Sequence, residues 1–342
     1  MGVSVSGQRR AIKHSEFGAC WTLFLRIFLP FGERELNLSF EDFTESLGPR
    51  AREEVPAATA EFFKRFDFRF KELNLEEAKL VSSEVSQRIE QGFTAVGPER
   101  IGIWADAWSE IRDLFVSNNF DLSVLEPKFV GASKHLRWKG RYILPDRKGF
   151  ELDFFKCLRN YLFHRYLVGF AKIVELGSGS GFNVIEFAKL FPDVDIVGLD
   201  WSQAAVDIIN QYQKRSGLRI RGELFDFFAP EGSTLCTPDT AVMTFCAFEQ
   251  IGTRFESILE FMLKSKVSRV VHVEPTLEYY DPNSSFDVLA IKYHEQRKYL
   301  TGYFSRLFEL EREGVIRVLD TQRTGFGSLY NECYSFHVWE PL

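Results

Sequence analysis

The segment that most constrains this chain is Val174-Glu175-Leu176-Gly177-Ser178-Gly179-Ser180-Gly181, an apolar run that breaks into three alternating glycines. The run Lys172–Leu176 predicts a short strand and Phe182–Phe191 a helix, so the glycines sit at a strand-to-helix turn. Without a Cβ, such a turn lets backbone come close to a ligand. A dinucleotide fingerprint would read GxGxxG, but here Phe182 occupies the place of its third glycine. Glu175, two residues before the first glycine, would repel a pyrophosphate and attract a ligand carrying positive charge. The competing reading is a tight turn with no ligand at all.

From Lys172 onward the chain alternates strand and helix. Strands are predicted at Val194–Leu199, Leu218–Phe225, Thr240–Phe245 and Val267–Val273, with a helix at Ser202–Arg215 and another before the last of these strands. This alternation implies a parallel sheet covered by helices on both faces. Ser284–Glu313 reads as one long helix or two abutting ones, stopped by Gly314. Val315–Thr321 and Cys333–Trp339 then suit an antiparallel pair at the sheet edge. The first half reads as mostly helical, with helices at Glu53–Phe66, at Leu75–Ile89 behind an Asn74 cap, and at Ile101–Phe115, opened by Pro98 and stopped by Asn118-Asn119. His135–Leu144 predicts a hairpin turning at Lys139-Gly140. Phe150–Leu167 places Phe154, Phe155, Leu158, Tyr161 and Leu162 on one helical side, and is expected to form a lid over the ligand.

The glycine turn, Glu175 and the residues that follow resemble motif I and its sequels in the class I S-adenosylmethionine-dependent methyltransferases, over about residues 150–342. The resemblance implies an α/β fold with a Rossmann-like seven-stranded sheet, mostly parallel with the last strand antiparallel, beside an N-terminal mainly helical region. It divides the chain into a cap at 1–149 and a methyltransferase domain at 150–342. It also implies S-adenosyl-L-methionine as cofactor, with S-adenosyl-L-homocysteine as product and no metal. Glu175, Gly177, Ser178, Gly179 and Gly181 would hold its amino-acid part, Asp200 its ribose, and Trp201, Asp226 and Phe227 its adenine. Plain alternatives are a helix cap for Asp200, a core place for Trp201 and a loop role for Asp226. Ala247-Phe248-Glu249-Gln250-Ile251 resembles the "LEHI" segment of many small-molecule members. Gln250 stands where many relatives carry histidine, and glutamine cannot serve as a general base. Glu249, Glu274 and His294 are the catalytic candidates, set against a structural role for both carboxylates; Tyr279 is a reserve, and His272 reads as a satisfied core histidine.

The expected reaction is in-line methyl transfer to O, N or C of a small polar metabolite, a sugar or an anionic or carrier-bound compound. The alternatives are a non-catalytic cofactor-binding partner subunit, or an aminopropyl transferase on the same fold. Between Lys128 and Lys148 stand seven basic residues and one acid, either a solvated hairpin face or a seat for an anionic or carrier-bound substrate. The whole chain carries a net charge of −6 over 342 residues, and no NPPY-type motif follows the fourth strand, so nucleic acid is a poor partner. Five scattered cysteines without a CxxC pair argue against disulfides and structural zinc and for a reducing, cytoplasmic setting. The apolar stretch Phe17–Phe31 is interrupted by Arg26 and is short of the roughly 20 residues that span a bilayer. It is read as a buried segment, with a signal peptide or N-myristoylation at Gly2 as lesser readings. Phenylalanine supplies 35 residues, enough to make rings the main core material.

Overall fold

A computed structural model describes residues 35–342 except 98, 99, 129, 233 and 234. The expectations for Phe17–Phe31, Gly2 and Cys20, and that for Pro98, lie outside the described residues. Among the described residues no helix is long and apolar enough to cross a membrane.

In chain order the first half contains β1 (Glu35–Asn37), α1 (Phe40–Ser46), α2 (Pro49–Glu53), α3 (Ala57–Phe63), β2 (Arg69–Glu72), α4 (Leu75–Glu90), α5 (Ile101–Ser117), β3 (Leu136–Trp138), β4 (Arg141–Pro145) and α6 (Phe150–Leu162). The second half contains β5 (Lys172–Leu176), α7 (Phe182–Leu190), β6 (Asp195–Asp200), α8 (Gln203–Ser216), β7 (Ile220–Leu224), β8 (Thr240–Phe245), α9 (Glu256–Lys264), β9 (Arg269–Val273), α10 (Ser285–Arg297), α11 (Tyr303–Arg312), β10 (Ile316–Gln322), β11 (Phe326–Gly327) and β12 (Phe336–Pro341).

The second half forms the expected seven-stranded sheet, in the order β10-β12-β9-β8-β5-β6-β7. β7, β6, β5, β8 and β9 run parallel, and β12 lies antiparallel between β9 and β10. Strand order reverses at β5, so the loops after β5 and β8 diverge and open a crevice at the C-terminal strand ends. The run at 284–313 is two helices. Lys298 (φ 52°) and Gly302 (φ 85°) adopt left-handed backbone between them, which no α-helix can continue through.

The first half is mostly helical, as expected, but it also holds two short strands beyond the expected hairpin. β1, β2, β4, β3 and β11 make a five-stranded antiparallel sheet, whose last strand comes from the second half of the chain. Outside the hairpin, strands of two to four residues show too little alternation to be read from sequence. The hairpin is as expected: Lys139 (φ 45°) and Gly140 (φ 79°) form the doubly left-handed turn that matches strand twist. Asn74 caps α4 in a capping box with Glu77. The helix expected over Glu53–Phe66 is split into α2 and α3, because Pro56 has no N–H and forces its predecessor out of helical backbone.

Phenylalanine rings join the two halves. Phe43 meets Phe154 edge-on at 5.4 Å, Phe68 meets Phe150 at 5.2 Å, and Phe154 stacks on Phe326 at 3.8 Å. α6 lies in this core, with Phe150, Phe154, Leu158, Tyr161 and Leu162 all fully buried. It is therefore a strut between the sheets, and of the residues expected to form a lid only Phe155 reaches the wall of the crevice, with Glu151 beside it. Five of the seven basic residues of the segment are paired with acids within the molecule. Lys128 pairs with Glu110, Lys139 with Asp42 and Glu45, Arg141 with Glu72, and Arg147 with Asp153. Arg137 is fully buried against Asp287 and the Phe286 ring.

Candidate active site

The crevice at the strand ends is a cavity of about 970 Å³. Glu175, Gly177, Ser178, Gly179, Asp200, Trp201, Asp226 and Phe227 all line it. Parallel strands β5, β6 and β7 end side by side, so the residues at and just past their ends converge although 52 positions separate Glu175 from Phe227.

Glu175 is 1% exposed. Its Oε1 accepts from Asn183 Nδ2 at 2.7 Å, while Oε2 is buried with no partner. Burial pushes its pKa up to about 8. A buried carboxylate oxygen without a donor is costly unless something fills its place, and a cation is the best filler.

The glycine turn is tightly enclosed. Gly177 has φ 74°, and a Cβ there would fall 2.5 Å from Ala247 Cβ. At Gly179, φ is 50° and a Cβ would lie 2.8 Å from the Trp108 ring. Any side chain at either position would close the cradle. Gly181 does not reach the cavity wall; it precedes α7 and lets Ile209 of α8 pack close, so its role is helix–helix packing.

Asp200 is 4% exposed, with Oδ2 accepting from Gly179 N at 2.8 Å and Oδ1 from Ser202 N at 2.9 Å. It thus holds both the glycine turn and the Ser202 amide just ahead of α8, and each oxygen keeps a lone pair for a hydroxyl donor. Burial raises its pKa to about 6. Trp201 is 39% exposed on the wall, so it is no core residue. Asp226 is exposed, Oδ1 accepting from Phe228 N, and Phe227 packs on Phe248 at 5.4 Å.

The catalytic candidates separate. Glu249 lines the cavity, accepts from Gln250 Nε2 at 2.6 Å, and is pushed up to about 7 by burial. Glu274 does not line it. Fully buried, it accepts from Thr244 Oγ1 at 2.7 Å and from the amides of Ala247, Phe248 and Glu249 at 3.2 Å each. It pins the turn that presents Glu249. His294 is a correction too: it is 1% exposed, packed behind Tyr293 and Tyr299, with its pKa pushed down to about 3 by burial. Neither Glu274 nor His294 can touch a ligand in the cavity. Tyr279 is likewise off the wall, bonded to Thr321. His272 is the satisfied core histidine expected, between Thr244 (2.9 Å) and Tyr303 (2.8 Å).

Several wall residues escaped the sequence reading. Trp104 and Trp108 of α5, stacked at 5.5 Å, both line the cavity, and Trp108 lies against Gly179 of the glycine turn. Asn183, Arg100, Arg297, Tyr293, Tyr299 and Tyr330 also line the cavity. The paired tryptophans one helical turn apart were a usable signal; the others carried none. None of the seven basic residues between Lys128 and Lys148 lines the cavity. Among the described residues no cluster of His, Cys, Asp or Glu is placed to hold a metal.

No family model matches the chain, and no curated protein matches it. Among solved structures, it is similar to the N,N-8-amino-8-demethyl-D-riboflavin dimethyltransferase from Streptomyces davawensis (TM-score 0.39, 12% identity, 57% of this chain and 56% of that one). It is also similar to the [4+2]-cyclase SpnF (TM-score 0.43, 15% identity, 68% and 78%) and to the pyocyanin biosynthetic protein PhzM (0.42, 13%, 56% and 57%). The chain thus spans little more than half the length of the riboflavin-type enzyme and of PhzM. At these scores the likenesses are distant, and membership of a family does not follow from them.

Proposed function

We propose that this chain binds S-adenosyl-L-methionine and transfers its methyl group to a small-molecule acceptor, with residues 150–342 as the methyltransferase domain and 1–149 as its cap. The observation that carries the reading is Glu175 on the cavity wall beside the glycine turn and Asp200, a buried carboxyl whose Oε2 has no hydrogen-bond partner. These residues fit the cofactor: an ammonium for Glu175, hydroxyl donors for Asp200, a flat base between Trp201 and Phe227, and an amino donor for Asp226. When bound, the cofactor supplies an electrophilic methyl group on a positively charged sulfur.

The chain's own part is to bind, orient and exclude water. Trp108 lies over the glycine turn, with Trp104 stacked beside it. Glu249, poised near neutral pH, accepts the proton from an acceptor hydroxyl or amine. Glu274 is a positioning residue that fixes the 247–249 turn through three backbone amides. The basic hairpin plays no part, which removes the reason for preferring a carrier-bound substrate.

The test is to incubate the protein with methyl-labelled cofactor and a metabolite extract. Label in a small molecule supports the proposal. Cofactor binding without transfer favours the non-catalytic partner subunit, and calorimetry showing no affinity for S-adenosyl-L-homocysteine would sink the reading.

A further inference from the structure

The wall after β8 lies two strands away from Asp200 and has a different chemistry. Three arginines line the cavity: Arg254 lies 3.9 Å over the Phe228 ring, while Arg100, from the start of α5, and Arg297, from the end of α10, both act on Glu249. Arg100 is half-buried, 5.0 Å over the Trp104 ring, and gives one Nη1 to Gln250 Oε1 at 2.9 Å. Arg297 lies 5.1 Å over the Tyr299 ring and gives Nη1 to the Thr94 carbonyl, while its Nε is buried with no partner. Burial, and then the like charge of Arg297, hold the Arg100 pKa below its usual value. The carboxylate acting on both is Glu249, already engaged by Gln250. Two guanidiniums against one carboxylate leave an excess of positive charge, with planar donors to spare.

The surfaces around them are rings. Tyr293 stacks on Tyr330 at 5.1 Å and 17°, Tyr299 meets Tyr293 at 5.8 Å, and Trp104 lies under Arg100. Flat apolar walls with a cationic end fit a flat, anionic molecule.

We propose that the Arg100–Arg297 wall binds the anionic group of the acceptor, which is an aromatic carboxylic acid. Calling that ligand the acceptor rests on the methyltransferase reading; the anion seat itself does not. The cofactor's own carboxylate is the other source of the same chemistry, and the experiment separates the two.

Full-length protein, saturated with S-adenosyl-L-homocysteine, is titrated calorimetrically with indole-2-carboxylate and with indole-2-carboxamide, near-isosteres that differ in charge. The carboxylate should bind about tenfold tighter or more, as charge-assisted bidentate contacts require. Arg100→Gln and Arg297→Gln should each bring the ratio close to one while leaving S-adenosyl-L-homocysteine affinity unchanged, and Arg100→Lys should restore part of it. A ratio near one in the unaltered protein, no binding of either probe, or a ratio that survives both glutamine variants overturns the proposal. Variants that lose S-adenosyl-L-homocysteine and keep the ratio assign the seat to the cofactor, which also overturns it. Should the protein not bind S-adenosyl-L-homocysteine at all, the methyltransferase reading falls, and the same ratio measured without it still decides the anion seat.

Discussion

Glu175 is buried with one oxygen unpaired and a pKa near 8, so at pH 7 it is largely protonated in the free protein. A cation placed against it favours the ionised form, and binding of S-adenosyl-L-homocysteine at pH 7 should therefore release up to about one proton. Calorimetry in buffers of different ionisation heat counts that proton, and Glu175→Gln should abolish it. Asp200→Ala removes an acceptor from the cavity and frees the Gly179 and Ser202 amides it holds. Cofactor affinity should fall by more than about tenfold, on the order of 1.5–3 kcal/mol for hydrogen bonds to a charged group; unchanged affinity would remove Asp200 from the site. Glu249 has a pKa near 7 and can accept a proton only when ionised, so turnover should rise with pH through about 7 and level off above it. Glu249→Gln should lower turnover by about a hundredfold or more and erase that limb, with cofactor affinity little changed.

At the scale of elements, α5 and α6 exchange the roles that periodicity assigned them. Both show an apolar stripe, but α6 is enclosed by both sheets whereas α5 packs on α8 with Trp108 over the glycine turn. Amide exchange in Ile101–Ser117 should slow when S-adenosyl-L-homocysteine binds, while Phe150–Leu162, protected by the core already, should not respond. The opposite pattern would restore α6 as the lid. The fold of 150–342 was legible because its strands are mostly apolar runs that alternate with amphipathic helices and are closed by glycine, aspartate or a helix cap. The five-stranded sheet was not, since its strands are short and gain their order from partners far away in sequence.

The whole molecule hangs together through Phe154, which touches Phe43, Trp138 and Phe326 from three separate parts of the chain. Phe154→Ala should cost about 3–5 kcal/mol, the range for a fully buried ring. Urea unfolding should still show one transition, followed equally by far-UV signal and by tryptophan fluorescence, because the two sheets share that core. Two separate transitions would mean that the cap and the methyltransferase domain unfold independently.

The sequence by itself determined the strand–helix alternation, the glycine turn and the acids that follow each strand. Those signals are local: hydrophobic period, turn chemistry and spacing are set by neighbours a few residues away. Only the tertiary structure decided which carboxylate faces the cavity. Glu249 and Glu274 both follow strands, yet backbone amides of the 247–249 turn draw Glu274 inward and leave Glu249 on the wall. It also decided that Arg100 and Arg297, 197 positions apart, stand on one wall and that the basic hairpin does not. The physical reason is that facing a cavity depends on what packs behind a side chain, and that packing is assembled from segments distant in sequence.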